Sequence, residues 1–321
     1  MLGGVSAMAL ACVMLPIATP AQALTIDTTY AGGLPAQMVT DFNQVIALYE
    51  SLITNPITVY IYVQSMSSGA GKADTFSAPV SYTDWYNALS AQAIASGDAV
   101  AQQAVASLSP TTQAAGTPGI WVTYANGRAL GGVPATGKVD GEYDSTLSFN
   151  TSIMDFTGTG IEGLFDFFGV AEHELNEALG IASALTYIVN NNSTSHSAFG
   201  EDQFRYSAPG VHSFSTSASA TSYFSIDGGA TAVAPFNQRA GGDFNDWSYG
   251  NDGCPAISTH IQDAWGCLGT ISPAFSVASP EATVLRSLGY NMTTSVPEPG
   301  TLSLLAVGLA ALGLLRRRKA A

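Results

Sequence analysis

The chain has 321 residues, enough for one large domain or two small ones, and its apolar content is ample for a core. Its formal charge is −14, and four of its ten basic residues are crowded at Arg316, Arg317, Arg318 and Lys319. The remainder sets six basic side chains against 23 acidic ones. That balance excludes nucleic acid and anionic lipid surfaces as partners and suits an exterior exposed to water and divalent cations.

Residues 1–23 read as a signal peptide, apolar and ending in an A-x-A cleavage site at Ala21-Gln22-Ala23. Pro16 and Pro20 interrupt the run and argue against a membrane span. Signal peptidase is therefore an expected partner, and the mature domain is expected over residues 24–294. Within it, residues 24–30 suggest an edge strand. Residues 35–53 carry Met38, Phe42, Val45, Ile46, Tyr49 and Leu52 at helical spacing. The β-branched and aromatic run ITVYIYV predicts a strand at 57–63. Residues 81–108 read as two short helices, with Trp85, Leu89 and Ala93 on one face, and strands follow at 119–124 and 146–150.

Residues 160–180, GIEGLFDFFGVAEHELNEALG, predict a long buried helix ended by Gly180. His173 and Glu177 are one turn apart on one face and can converge on one ion; both residue types ligate zinc. Glu174 is rotated about 100° from His173, beside the ion, where a carboxylate can take a proton from water. The alternative is a buried amphipathic helix in which His173 and Glu177 simply pair with each other.

HELNEALG resembles the zincin signature H-E-x-x-H, with the following x-x-G of the metzincin branch that includes matrixins and serralysins. His173 matches the first zinc histidine, Glu174 the general base, and Gly180 the glycine that turns the chain. Glu177 stands where the second histidine belongs and Ser183 where the third would come. No methionine lies between Gly180 and Met292, so the Met-turn is missing. The resemblance implies an α+β fold, a zincin-like domain with a long active-site helix and a strand- and turn-rich C-terminal half. It also implies a zinc metalloendopeptidase of H-E-x-x-E type.

Beyond Ser183, residues 190–197 read as a polar, Asn/Ser-rich loop. Short strand and turn units are expected at 204–209, 223–228, 233–237 and 241–247, and a last helix at 280–288, opened by Pro280. DQFRYSAPG from Asp202, with YFSIDGG, GGDFNDW and LRSLGYN after it, resembles a group of secreted bacterial zincin-like metalloproteases. A catalytic zinc takes about three protein ligands. The remaining histidines are His196, His212 and His260. Asp202 or His196 is the expected third ligand, because the chain must return to the helix soon after Gly180. Asp243 and Asp246 are expected to hold calcium or cap turns. Arg205 and Tyr206 are either oxyanion stabilisers or a buried ion-pair member and a core tyrosine. Cys12 leaves with the signal peptide, so Cys254 and Cys267 are expected to form one disulfide, worth about 3 kcal/mol.

The C-terminus reads Val296-Pro297-Glu298-Pro299-Gly300, then an apolar run, then RRRK. This order resembles the PEP-CTERM sorting signal over residues 295–321. It implies an exosortase partner in a Gram-negative envelope and a transient inner-membrane anchor, with the basic cluster cytoplasmic. Export to the cell surface or medium follows, with extracellular polysaccharide as a further candidate partner. An ordinary tail anchor is the alternative. Two functions are expected: an exported zinc metallopeptidase, or a non-catalytic cell-surface or biofilm-matrix protein on a degenerate zincin scaffold. Glu177 in place of a histidine favours the second.

Overall fold

A computed structural model describes residues 23–117, 119–191, 198–248 and 260–293. The first element is β1 (Thr25–Tyr30). It leads into α1 (Ala36–Leu52), which buries Met38, Phe42, Val45, Ile46 and Tyr49, the stripe its spacing requires. In β2 (Thr58–Ser65), buried Val59, Ile61 and Val63 alternate with half-exposed neighbours. Then come β3 (Gly71–Thr75) and β4 (Ser77–Ser81). The Ser81 hydroxyl accepts the Asp84 N–H and so caps α2 (Tyr82–Ser96), and Asp98 caps α3 (Ala99–Ala106). After β5 (Gly119–Thr123), α4 (Tyr124–Ala129) and β6 (Ser145–Phe149), the chain reaches β7 (Met154–Asp155), β8 (Phe165–Asp166) and α5 (Phe167–Leu179).

The main sheet has the order β1-β2-β6-β3. β1, β2 and β6 are parallel, with Thr25 opposite Thr58 and Ile61 opposite Ser145. β3 closes the far edge antiparallel to β6, Gly71 opposite Phe149. α5 packs against β3, β6 and α1, so its buried face completes the core while its polar face borders the edge strand. The chain continues through α6 (Ala184–Asn190) to a small antiparallel sheet of β9 (Arg205–Ala208), β10 (Val211–His212), β11 (Tyr223–Phe224) and β12 (Ala234–Pro235), and ends in α7 (Pro280–Ser287). The whole is a mixed α/β fold with seven α-helices among the described residues.

Three differences from the sequence expectations have physical causes. The helix expected over 160–180 begins at Phe167. Gly160 and Gly163 take φ of 76° and 81°, Phe165–Asp166 pairs with Met154–Asp155, and the Asp166 side chain then caps the helix at Phe168 N–H. Ile161, counted in the buried stripe, is 42 % exposed. The strand expected at 119–124 forms but leaves the main sheet to pair with β4. β3, sequence GKADT, has no apolar alternation to mark it as a strand. Its backbone pairing with β6 makes it one.

Candidate metal centre

α5 turns Phe167, Ala171, Leu175, Ala178 and Leu179 into the core. Gly180 ends it at φ 128°, its N–H returned to the carbonyls of Asn176 and Glu177. The face left over carries His173, Glu174 and Glu177, which line a cleft of about 490 Å³. One wall of the cleft is all five residues of β3; the other includes Ser183, Thr186 and Tyr187. A smaller recess of about 200 Å³ opens on the other side of His173 and Glu174.

His173 Nε2 lies 3.8 Å from Glu177 Oε1 and 3.5 Å from Asp246 Oδ1. Ligand atoms from all three side chains fall within 4.8 Å of one another. Two ligand atoms on one tetrahedral zinc stand about 3.4 Å apart, so little movement separates this arrangement from a coordinating one. His173 Nδ1 is 3.2 Å from Ile261 O. A proton donated there leaves the Nε2 lone pair facing the two carboxylates, the outer-shell pattern that orients ligating histidines. Asn245 Nδ2 reaches Glu177 Oε1 and Asp246 Oδ1, each at 3.0 Å, and Thr186 Oγ1 pins the same loop by accepting the Phe244 N–H at 2.7 Å.

Acids crowd this spot. Burial, followed by Glu177, Asp246 and Asp243, pushes Glu174 well above the usual carboxylate range. Burial raises Glu177 to about 8; His173 opposes the shift, and Asp246 and Asp243 reinforce it. Burial and then Asp243 hold Asp246 well up, and burial raises Asp243. Lys72 stands on the cleft wall but is paired with Asp74 at 2.6 Å. A divalent cation reverses such crowding. The donor set of one imidazole and two carboxylates fits zinc, and it is harder than a multi-histidine set.

Glu174 has a cradle of its own. A Cβ at Gly71 would overlap Glu174 Oε1 and lie 2.8 Å from its Cδ. Gly71 does not adopt positive φ, so the close approach of Glu174, not backbone conformation, accounts for a glycine there.

The structure brings His173, Glu174 and Glu177 together and supplies a third group from Asp246, on the GGDFNDW loop assigned from sequence to calcium or turn capping. Asp202 does not join them. Its Oδ1 accepts from Ser183 Oγ at 2.6 Å and its Oδ2 from the Ala184 and Phe199 N–H groups at 2.9 Å, so it anchors the start of α6. His196 lies outside the described residues. His212 packs on Tyr206 with its Nδ1 at Arg205 O, and His260 pairs with Asp263. Arg205 is fully buried, donates to Phe244 O and lies 3.9 Å over the Phe236 ring, a structural role. Cys267 is disulfide-bonded; Cys254, its expected partner, lies outside the described residues. Two acids three positions apart after a Gly-Gly turn were the available signal for Asp246.

Residues 295–319 match the PEP-CTERM protein-sorting motif. The match takes in Pro297, Glu298 and Pro299, the apolar run and the basic cluster. The PEP-CTERM motif implies exosortase as a processing partner and export with sorting to the surface or medium. No curated protein and no solved structure matches the chain. Among the described residues no helix is long and apolar enough to cross a membrane; the apolar run of the motif, like residues 1–22, lies outside them.

Proposed function

We propose that the mature domain is an exported metal-dependent peptidase, zincin-like in its chemistry, in which His173, Glu177 and Asp246 hold a divalent cation and Glu174 is the general base. The observation that carries this reading is the convergence of those three ligand groups beside a cradled carboxylate, in a cleft walled by an edge strand. Zinc, the first candidate ion, supplies Lewis acidity and activates water at neutral pH when bound. Glu174 accepts the proton of the attacking water, and its close seat against Gly71 holds the carboxylate beside the ligand groups. β3 has one edge paired to β6 and lines the cleft, where an extended peptide can add as a further strand. Its backbone aligns the substrate along the face of α5 that carries His173, Glu174 and Glu177.

A second reading keeps the scaffold without catalysis, as a cell-surface or matrix protein. The second carboxylate ligand favours it, because an added anion lowers the Lewis acidity of the ion. Metal analysis and peptide-library cleavage with the processed protein decide between them. The expected result is one zinc per chain in wild type, none in His173→Ala, and full zinc without hydrolysis in Glu174→Gln. Zinc without cleavage of any peptide by wild type transfers the protein to the second reading. A wild type that takes up no zinc at saturating concentration removes the metal centre altogether and leaves a His173–Glu177–Asp246 pairing cluster.

A further inference from the structure

His173 and Asp246 lie on elements far apart in sequence, yet one short segment touches both. Ile261 O faces His173 Nδ1 at 3.2 Å. The next residue, Gln262, is fully buried and donates from Nε2 to Asp246 Oδ1 at 3.0 Å. Its Oε1 accepts from Asn176 Nδ2 at 3.3 Å, on the buried side of α5. Asn176 Oδ1 in turn accepts from Tyr49 OH of α1 at 2.8 Å. The backbone of the segment is held as well. Glu281 Oε1 of α7 accepts the Gln262 N–H at 3.1 Å and Trp247 Nε1–H at 2.9 Å, and Gln262 O accepts the Trp247 N–H at 2.7 Å.

Resting on the metal-centre reading, we propose that Gln262 is a positioning residue for that centre: its amide fixes the Asp246 carboxylate while the adjoining Ile261 carbonyl fixes the His173 ring. Gln262 uses both ends of its amide, donating to a carboxylate on one side and accepting from an Asn N–H on the other. A carboxylate there would face Asp246 acceptor to acceptor. An apolar side chain would leave Asn176 Nδ2 unpartnered and release one of the two donors holding Asp246 Oδ1, in a site too buried for bulk water to replace them. Through this amide, the distances among the three ligand groups depend on α1, α5 and α7 together.

The test measures Zn²⁺ affinity by chelator competition, and the visible spectrum of the Co²⁺-loaded protein, on processed wild type, Gln262→Met, Tyr49→Phe and Trp247→Phe. Gln262→Met is expected to weaken Zn²⁺ binding about 10–100-fold, the loss typical of outer-shell partners, and to change the Co²⁺ bands. Tyr49→Phe, two hydrogen bonds further from Asp246, is expected to show a smaller loss of the same kind. Trp247→Phe removes a bond to Glu281 but leaves the Gln262–Asp246 contact, so it is expected to lower the melting temperature and leave Zn²⁺ affinity at the wild-type value. If the segment is merely structural, Zn²⁺ affinity follows melting temperature across the three variants, and that result overturns the proposal. Wild-type affinity and spectrum in Gln262→Met also overturn it while leaving the metal centre standing. Absence of Zn²⁺ uptake by wild type overturns both. Should Gln262→Met not fold, Tyr49→Phe decides on the same readouts.

Discussion

Gly71 and Glu174 show how much a single hydrogen atom can decide. Glu174 is 6 % exposed, and its carboxyl group occupies the volume a Cβ at position 71 would need. Gly71→Ala is therefore expected to displace Glu174 while leaving His173, Glu177 and Asp246 in place. On the proposed function, zinc stoichiometry stays at one per chain and kcat falls on the order of 100-fold, the cost of misplacing a reacting group by about 1 Å. Steady-state kinetics beside metal analysis checks this; an unchanged kcat in a folded Gly71→Ala protein contradicts it. His173→Ala separates the two meanings of the cluster. In a simple ion-paired cluster it destabilises by about 1–3 kcal/mol through the carboxylates it strands, with no metal in any variant. As a ligand substitution it removes the metal, and the melting temperature of wild type, not of the variant, then rises with added zinc.

At the scale of elements, the approach to α5 is built by one carboxylate. Asp155 accepts from the N–H groups of Thr157, Gly160 and Ile161 at 2.7, 2.9 and 3.0 Å, and it closes the loop that delivers Asp166 to the helix start. Burial pushes the Asp155 carboxyl up, but the Thr157 hydroxyl and those backbone donors outweigh it and bring it from 3.8 to about 2. A folded-state value below the unfolded one favours the ionised form in the fold. The stability Asp155 contributes is thus present above the ordinary value of 3.8 and is lost as pH falls towards 2. The stability difference between wild type and Asp155→Asn should be clear at neutral pH and shrink below about pH 4, measured by urea unfolding across that range. A difference constant down to pH 2 would show that hydrogen-bond geometry, and not charge, is what Asp155 supplies. This loop also explains why the start of α5 was not legible: Ile161 and Leu164 match the helical period, but the glycines and Asp155 hold them in a turn.

For the whole molecule, the sorting motif predicts a processed chain. Protein recovered from the native host should lack the RRRK terminus and end near Pro297, checked by intact mass; a full-length tail on released protein contradicts it. Non-reducing peptide mapping of the same material should join Cys267 to Cys254, and two free thiols would refute that pairing. Residue order alone sufficed for the C-terminal sorting motif, for α1, β2 and α7, and for the convergence of His173, Glu174 and Glu177. Those features are local: a few residues, a helical period or one helical turn contain all the information. The edge strand β3, the cradle at Gly71, the third group Asp246 and the Gln262 amide were decided only by tertiary structure. Each depends on segments brought together by burying the apolar face of α5 against the sheet and α1, and a backbone pairing or a buried amide leaves no periodic mark on the sequence that supplies it.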